Sequence, residues 1–391
     1  MVSEAPPLRV AMIGYAFMGA AHSQGWRNAH RFFDLAATPE LTVLCGRTPD
    51  AAESAARKLG WDSWVTDWRE AVERDDVDVV DICTPGDSHK EIALAALAAG
   101  KHVLCEKPLA NTVAEAEEMA AAARSAASRS VLSMVGFNYR RTPALALARR
   151  LVSEGRLGRI HHVRAQYLQD WIVDPDFPLV WRLQKDKAGS GALGDIGAHV
   201  VDLAAFLTGA RLSGVSGTLE RFVEQRPLPD AATGLSASGG SGVGEVTVDD
   251  AAAFFGRTED GALATFEATR FATGRKNAMR IELNGSSGSL AFDFERLNEL
   301  HVYDGTVPAA DAGFRRIMVT EPDHPYTGVW WPPGHGLGYE HTFVNEIADF
   351  VQALTEGQQP SPSFDDGLYV QKVLDAVERS SDAGSAWTKI S

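Results

Sequence analysis

The stretch that decides the fold is RVAMIGYAFMGAAHSQGW, residues 9–26. Its apolar run ends at Gly14, and Gly14, Ala16 and Gly19 follow in G-x-A-x-x-G order. In a strand–turn–helix unit, the first glycine allows a tight turn, the small second residue lets a diphosphate approach the backbone, and the third lets the helix pack on the strand. The free N–H groups of that helix would face the phosphates. Alone the pattern is weak, because small residues also fill ordinary tight turns.

This turn begins a region that alternates apolar runs with alanine-rich segments of helical spacing. The runs are LRVAMIG, LTVLCG, VDVVDICTP, KHVLCEKP and SVLSMVGF. Strands that are apolar on both faces are typical of a parallel sheet covered by helices on each side. Gly60 and Gly100 mark helix ends, and Asn111, with Thr112 as the near alternative, is the expected N-cap of the next helix. The sequence therefore predicts a doubly wound α/β domain over residues 1–138 that binds a dinucleotide.

The pattern changes after Asn138. A helix, TPALALARRLVSEGRLG, precedes a long strand, RIHHVRAQYLQDW, and two later runs predict hairpins, one around residues 259–261 and one around Asn284 and Gly285. We expect residues 139–391 to form an α+β domain with a largely antiparallel open sheet, closed by the helices HTFVNEIADFVQALTEG and GLYVQKVLDAVERSS. The Gly-, Ser- and Ala-rich stretch at residues 227–244 is expected to be a mobile loop.

Composition disfavours several classes of function. The 391 residues include 37 Lys and Arg against 52 Asp and Glu, a net charge of −15. This balance argues against nucleic acid and against an anionic membrane as partners. Cys45, Cys83 and Cys105 lie in apolar runs or at their ends without metal-type spacing, so we expect reduced thiols, no metal and a cytoplasmic location. The N-terminal apolar run is too short to span a membrane, and its glycine spacing disfavours a signal peptide.

The residues after the second strand bear on which dinucleotide is bound. An acid that binds the ribose 2′-hydroxyl is expected about 20 residues after the glycine turn. Asp34 has that spacing but precedes the strand, and the strand LTVLC ends in Gly46, Arg47 and Thr48. A guanidinium beside a hydroxyl group suits a 2′-phosphate. The cofactor is therefore predicted to be NAD or NADP, with the choice open.

The fifth strand ends in a charged pair, Glu106 and Lys107, directly before Pro108. Ligands of open α/β sheets bind beyond the carboxyl ends of the strands, so Lys107 could hold a substrate hydroxyl and stabilise the alkoxide that forms as hydride leaves. Pro108 biases Lys107 towards an extended backbone, and the bond between them is a candidate for the cis form. The competing interpretation is a strand-end lysine that pairs with Glu106 at the surface.

A second group of titratable residues lies in GSGALGDIGAHVVDLAAFL, residues 189–207. Asp195, His199 and Asp202 are spaced i, i+4 and i+7 and share one face of a helix. A histidine next to a carboxylate suits a general base for a hydroxyl proton. Three other interpretations are open: Asp195 as a helix cap, His199 as a hydrogen-bonded core residue, or a metal pair, for which no third ligand is evident nearby.

Four motifs together resemble one known family. GYAFMGAAHS, ICTPGDSH, LCEKPLA and GSGALGDIGAHVVDL occur in the order found in the glucose–fructose oxidoreductase/inositol dehydrogenase (Gfo/Idh/MocA) family, and the resemblance covers nearly the whole chain. FNYRRTPA, YLQDW and GLGYEHTF look most like the levoglucosan dehydrogenase-type members. The resemblance implies that the first domain is a Rossmann domain and that the protein is an oxidoreductase.

The resemblance also implies roles for single residues, which spacing alone does not. Lys107 matches the catalytic lysine, Asp195 the carboxylate that orients substrate and base, and His199 the base. The residues expected to bind the cofactor, from the motifs and the resemblance together, are Gly14, Tyr15, Ala16, Phe17, Met18, Gly46, Arg47, Thr48, Thr84, Pro85, His89, Glu106 and Lys107. The absence of an acid at Gly46 and Arg47 departs from NAD-preferring members.

Aromatic and polar residues are expected to line a sugar pocket. Tyr167, Gln169 and Trp171 alternate along a strand and share a face. The run YTGVWWPPGHGLGYEHTF adds Tyr326, Trp330, Trp331, His335, Tyr339 and His341. The residues expected to bind substrate are Lys107, Asn138, Tyr167, Gln169, Trp171, Asp195, His199 and Tyr339. The alternative is an apolar loop packed at a subunit interface, and the resemblance implies a homodimer or homotetramer.

The predicted reaction is the reversible interconversion of a secondary alcohol and a ketone on a sugar, anhydrosugar or cyclitol. The resemblance implies that His199 takes the hydroxyl proton while hydride passes to the nicotinamide, and that Lys107 holds the oxygen. One rival is an NAD-dependent glycosidase that uses transient oxidation, and another is a non-catalytic nucleotide sensor. The presence of Lys107, Asp195 and His199 together argues against the sensor.

Overall fold

The structure, a computed structural model, describes residues 6–233 and 236–391, and the chain divides into two compact units. The first unit holds the chain up to Asn138, and the second unit begins at Tyr139. Later segments, among them Tyr339–Gln371, also belong to the first unit.

The first unit is built on a six-stranded parallel sheet. Its strands are β1 (Pro7–Ile13), β2 (Thr38–Cys45), β3 (Ser63–Val65), β4 (Val79–Ile82), β5 (His102–Glu106) and β6 (Ser133–Gly136). The intervening helices are α1 (Phe17–Phe32), α2 (Pro49–Leu59), α3 (Trp68–Glu73), α4 (His89–Ala98) and α5 (Val113–Ala127). The order β3-β2-β1-β4-β5-β6 reverses between β1 and β4, where doubly wound sheets bind their ligands. The predicted Rossmann fold is confirmed.

Helix ends in the first unit follow the predicted signals with one exception. Gly60 and Gly100 follow α2 and α4 at φ +80° and +77°, a backbone conformation that glycine adopts without strain. Thr112, and not Asn111, caps α5, because its hydroxyl accepts the N–H of Glu115 while the Glu115 carboxylate accepts the N–H of Thr112. This reciprocal capping box is open only to Thr112, which stands three residues before an acid.

The second unit carries a nine-stranded sheet and a separate two-stranded one. Its strands are β7 (Ile160–Leu168), β8 (Leu212–Glu220), β9 (Gln225–Thr233), β10 (Ser236–Glu245), β11 (Ala251–Thr258), β12 (Leu263–Thr269), β13 (Ala278–Gly285), β14 (Gly288–Asp293), β15 (Glu299–Asp304), β16 (Arg315–Met318) and β17 (Thr388–Lys389). The large sheet has the order β16-β15-β14-β13-β7-β12-β11-β8-β17, and only the β7–β12 pairing is parallel. The predicted hairpins are β11–β12 and β13–β14, so the largely antiparallel sheet is confirmed.

The glycine-rich stretch at residues 227–244 is not the predicted mobile loop, because β9 and β10 pair there; residues 234 and 235 lie outside the described part of the chain. Arg226 is fully buried and binds the carbonyl groups of Ile172, Asp174 and Phe177. A Cβ on Gly244 would lie 2.5 Å from the Leu179 side chain. Glycine at position 244 therefore allows the Leu179 side chain to pack against the strand, a tertiary contact that composition alone does not reveal.

The helices of the second half complete both units. They are α6 (Pro143–Ser153), α7 (Lys185–Ala188), α8 (Ala198–Thr208), α9 (Tyr339–Glu356) and α10 (Phe364–Asp382). Within the first unit, α9 packs on α1, where Gly25 lies against Phe343 and Ile347. The apolar face of α9 thus explains why the chain returns to the first unit. Residues 185–208 are long and apolar enough to span a membrane by composition, but 78% of the tested window is buried, as in a core helix.

Candidate active site

The glycine turn after β1 has the backbone geometry that a dinucleotide phosphate requires. Gly14 has φ +99°, and a Cβ on it would lie 2.8 Å from the carbonyl oxygen of Cys83. A Cβ on Gly19 would overlap the carbonyl oxygen of Gly14. At Ala16, α1 starts without a side-chain cap and without an acid in its first turn, so its first N–H groups remain for an anion. These residues fit a bound diphosphate.

The end of β2 explains the missing acid. A Cβ on Gly46 would overlap the ring of Tyr15, so the position of Tyr15 excludes any side chain there. Arg47 and Thr48 follow and are exposed. Among the described residues, Arg47 has no hydrogen bond or ion pair, which leaves its guanidinium group accessible to a ligand.

Lys107 follows β5, whose last residue, Glu106, is held in place by hydrogen bonds. Glu106 is 4% exposed, so it is not a surface acid. Its Oε2 accepts the backbone N–H of Lys107 at 3.0 Å, and its Oε1 lies 3.0 Å from Nε2 of His22. The Lys107–Pro108 peptide bond is cis, as anticipated.

Thr84, Pro85 and His89 follow β4 at the same edge of the sheet. His89 is 1% exposed, and its ring nitrogens lie 3.0 Å from the carbonyl oxygen of Pro108 and 2.9 Å from that of Thr84. The imidazole of His89 therefore ties the segment after β4 to the segment after β5. We infer that His89 shapes the cofactor crevice through the backbone.

Tyr339 and Asn138 lie near the expected cofactor residues within the first unit. The rings of Phe17 and Tyr339 are parallel, with an interplanar angle of 2° and centroids 6.2 Å apart. Asn138 is buried and donates from Nδ2 to Oγ1 of Thr342 at 2.8 Å, and that hydroxyl donates to the carbonyl oxygen of Tyr339. The start of α9 is thus anchored to the end of β6.

In the second unit, Asp195 and His199 flank the start of α8. Residues Leu193–Gly197 form a π-helical turn, a local distortion that is frequent at functional sites. His199 is 6% exposed and its ring lies 4.6 Å from that of Tyr139 and 5.9 Å from that of Tyr167. Asp202 is bound by Nε and Nη2 of Arg140, at 2.8 and 2.5 Å, so a buried ion pair accounts for both of its oxygens.

Asp195 is backed by a buried guanidinium that sequence reasoning missed. Nη1 of Arg270, which is 0% exposed, lies 3.5 Å from Oδ2 of Asp195, and Nη2 donates to the carbonyl oxygen of Asp249. The Asp249 carboxylate accepts the N–H groups of Gly191 and Leu193 and so fixes the approach to the π-helical turn. Burial raises the pKa of Asp249, although these N–H groups and Arg270 act in the opposite direction.

The expected substrate residues Tyr167, Gln169 and Trp171 do not alternate along one strand, because β7 ends at Leu168, but hydrogen bonds link them. Trp171 donates to Oε1 of Gln169 at 3.1 Å, and Gln169 donates to Oδ1 of Asn277 at 2.8 Å. The Tyr167 hydroxyl donates to the same oxygen at 2.7 Å and lies 2.5 Å from the Tyr139 hydroxyl. Tyr167 is 3% exposed, so it supports the His199 ring, whereas Gln169 and Trp171 are half-buried and accessible.

The predicted aromatic run is divided between the units. Tyr339 and His341 belong to the first unit, and Tyr326, Trp330, Trp331 and His335 to the second. In the second unit Asn298 holds both ends of the loop: its carbonyl oxygen accepts the N–H of Val319, and its side-chain amide exchanges two hydrogen bonds with Leu337. Trp331 is exposed on this loop.

Three supporting residues carried no signal in the sequence. Asn277 and Arg270 lie in a run of ordinary surface composition, and Tyr139, although it lies in the motif FNYRRTPA, had no role assigned to it. Their roles arise from contacts between distant parts of the chain. A buried charge next to a candidate catalytic acid is visible only in three dimensions.

The glycine turn after β1 lies where the strand order of the parallel sheet reverses, and it suits the diphosphate of a dinucleotide. Lys107, directly after β5, suits a substrate oxygen that gains negative charge. In the second unit, His199 follows the ion-paired Asp195 by about one helical turn, an arrangement that suits a proton acceptor. Fold and side chains together define an oxidoreductase that uses a nicotinamide dinucleotide.

Comparison with known proteins narrows this class. Residues 8–137 match the model of an oxidoreductase family with an NAD-binding Rossmann fold, and residues 145–291 match the GFO/IDH/MocA C-terminal domain. The chain belongs to the Gfo/Idh/MocA family of oxidoreductases.

Similar proteins span the full length of the chain. Levoglucosan dehydrogenase of Pseudarthrobacter phenanthrenivorans is 43% identical over 98% of each chain, and inositol 2-dehydrogenase of Rhizobium meliloti is 26% identical over 95% of this chain and 96% of its own. The crystal structure of an oxidoreductase domain protein from Kribbella flavida matches with a TM-score of 0.94 and 63% identity, covering 99% of this chain and 100% of that one. Levoglucosan dehydrogenase in complex with NADH and levoglucosan matches with a TM-score of 0.92 and 42% identity, covering 98% and 99%.

Proposed function

We propose that this oxidoreductase reversibly oxidises a secondary hydroxyl of an anhydrosugar such as levoglucosan to a ketone, with NAD as its cofactor. The observation that carries the proposal is the Asp195–His199 turn, in which an ion-paired carboxylate precedes an imidazole packed on two tyrosine rings. The 43% identity to levoglucosan dehydrogenase supports the anhydrosugar, and inositol 2-dehydrogenase among the relatives defines a wider class of sugars and cyclitols.

Each catalytic residue has one task in this proposal. The oxidised nicotinamide, when bound, supplies the hydride acceptor. The ammonium group of Lys107 binds the substrate oxygen and stabilises the negative charge that develops on it. His199 accepts the hydroxyl proton, and Asp195, oriented by Arg270, positions substrate and base. Gln169 and Trp171 bind further hydroxyl groups and the apolar face of the ring.

A panel of anhydrosugars, sugars and cyclitols, with NADH formation followed by its absorbance, tests the proposed reaction. We expect levoglucosan to give the highest kcat/KM and NADH to form in equal amount to the ketone. A glycosidase that re-reduces its intermediate would release product without net NADH. Failure of every member of the panel to reduce NAD⁺ or NADP⁺ would contradict the proposed function.

The choice of cofactor is tested at Arg47. We propose that NAD is preferred, in line with the NADH complexes of the relatives, and that Arg47 sets the residual affinity for NADP by binding a 2′-phosphate. Arg47→Ala is expected to raise KM for NADP⁺ about 10-fold with little change for NAD⁺. The exposed Arg57→Ala on α2 is the control. An equal effect of Arg47→Ala on both cofactors would rule out a 2′-phosphate contact.

We further propose a cytoplasmic enzyme that forms homodimers or homotetramers. The free, buried thiols of Cys45, Cys83 and Cys105 suit a reducing compartment. The outer face of the large sheet offers a surface for self-association, with Phe255 exposed next to Trp387. Light scattering of the purified protein gives the mass of the assembly, and a monomer at micromolar concentration would contradict this part of the proposal.

A further inference from the structure

A buried charge cluster lies beneath Lys107 and is not used by the proposed reaction. It consists of His22 on α1, Asp81 on β4 and Glu106 on β5, whose side chains are 0%, 0% and 5% exposed. Nδ1 of His22 lies 2.9 Å from Oδ2 of Asp81, and Nε2 lies 3.0 Å from Oε1 of Glu106. We call these three residues the His22 triad.

The geometry fixes the protonation of His22. Both ring nitrogens face carboxylate oxygens, so a neutral imidazole would place a lone pair against one of them, and only the imidazolium donates to both. Burial is the largest single influence and lowers the pKa of His22, but Asp81 and Cys83 together raise it by more, so that the pKa lies well above its ordinary value. The triad therefore places a protonated His22 between two carboxyl groups.

The remaining oxygens of the triad are also bound. Asp81 accepts from Nε1 of Trp26 at 2.7 Å and from the Cys83 thiol at 3.6 Å. Burial raises the pKa of Cys83, so its thiol donates to Asp81. Hydrogen bonds among the described residues thus account for the contacts of this cluster.

Glu106 connects the triad to the reaction. Its Oε2 accepts the backbone N–H of Lys107 at 3.0 Å. A Cβ on Gly136 would lie 3.1 Å from its Oε1, so the neighbouring strand leaves the carboxylate little space to shift. His22 lies about one and a half turns into α1, the helix whose first turn follows the phosphate-binding glycines.

We propose that His22 is a positioning residue that, acting through Glu106, sets the place of Lys107 relative to the phosphate-binding start of α1. The inference rests on the proposed catalytic role of Lys107. Because displacement of a catalytic group by about 1 Å costs on the order of 100-fold in rate, loss of this link lowers kcat while the glycine turn still binds the cofactor.

Two variants of His22 test its contacts with Asp81 and with Glu106 separately. Asn at position 22 places an amide near Nδ1 and keeps the bond to Asp81, whereas Gln places one near Nε2 and keeps the bond to Glu106. We expect His22→Asn to lower kcat about 10- to 100-fold, and His22→Gln clearly less. For both, the Kd for NADH, measured by fluorescence, and the KM of the sugar should change less than about 3-fold.

A control variant distinguishes an effect on stability from an effect on kcat, and the activity of the wild type distinguishes this inference from the proposed function. Met119→Ala removes a buried side chain of α5 away from the triad and should lower Tm while leaving kcat unchanged. Equal kcat values for the two His22 variants would overturn the positioning role. The same conclusion would follow if kcat and the affinity for NADH fell together in proportion to Tm, because that is the effect of a general loss of stability. A wild type inactive on the whole sugar panel refutes the proposed function, whereas an active wild type matched by His22→Asn refutes only this inference.

Discussion

His199 is held in place by packing on two aromatic rings. Tyr139 and Tyr167 lie against the imidazole, and their hydroxyl groups are linked to each other and to Asn277. A base that is held in one orientation needs no reorganisation when the hydroxyl proton is transferred. The two tyrosines thus restrict the orientation of the His199 imidazole.

Removal of the imidazole tests the assignment of the base. His199→Ala is expected to lower kcat about 10²- to 10⁴-fold, the usual contribution of general base catalysis, with unchanged binding of NADH. Steady-state kinetics and fluorescence titration measure the two effects. The matched control is His161→Ala, which removes an exposed histidine from β7. Wild-type turnover in His199→Ala would assign the proton transfer to another group.

We propose that Arg270 orients Asp195, because Nη1 of Arg270 lies 3.5 Å from Oδ2 of Asp195. Arg270→Lys keeps the charge but loses the fork that reaches both Asp195 and the carbonyl oxygen of Asp249, and we expect kcat/KM to fall about 10-fold. Arg226→Lys removes a fork from an equally buried site that has no contact with Asp195, so it controls for stability. Unchanged kcat/KM in Arg270→Lys would show that Asp195 is oriented without it.

At the scale of elements, the Asn298 side chain fastens the C-terminal end of the loop at residues 319–337. The Asn298 amide donates to the carbonyl oxygen of Leu337 at 3.0 Å and accepts its N–H at 2.8 Å. Without these two hydrogen bonds the loop opens more often near Leu337, whereas the strands on either side of Asn298 are unaffected.

Asn298→Ala is therefore expected to speed hydrogen exchange at residues 320–336 and to raise the KM of the sugar several-fold, at about 1 kcal/mol for each bond lost. NADH binding should not change. Asn284→Ala is the control, since it removes from β13 an asparagine amide with three hydrogen bonds of its own, to Arg164, Glu282 and Ser289. An unchanged KM together with faster exchange would mean that the loop does not contact the substrate.

The sequence predicts those elements that have a local cause. Apolar runs gave the parallel sheet, and the turns near Gly261 and Gly285 gave two hairpins. The pairing of β9 and β10 was missed, because it depends on the burial of Arg226 and on Leu179 against Gly244. Spacing placed Asp195 and His199 on one helical face, but the π-helical turn between them and the guanidinium behind Asp195 arise from tertiary packing.

For the molecule as a whole, the His22 triad makes stability depend on pH. The folded protein holds a proton on His22 that the unfolded chain releases above about pH 6.5, because the folded-state pKa is raised. Fewer protons are bound in the unfolded state, so the contribution is complete below that pH and is lost as the pH rises through the folded-state pKa.

The Tm of the wild type should therefore exceed that of His22→Asn more at about pH 6 than at about pH 9. Each kcal/mol corresponds to a shift in Tm of about 1 °C in a chain of 391 residues, because the entropy of unfolding grows with chain length. Calorimetric scans of both proteins across this range measure the difference. A gap that widens with pH would mean that His22 is neutral in the folded state.

The return of α9 to the first unit has a consequence for biosynthesis. Asn138 leaves the ribosome well before Gln371, by roughly 10–50 seconds at about 5–20 residues per second. During that interval Trp26 lacks the Phe350 ring against which it packs, and Gly25 lacks Phe343. The nascent dinucleotide-binding unit therefore keeps an apolar face of α1 uncovered while strands β7 to β16 are synthesised, and such exposed apolar surface is what chaperones protect during synthesis.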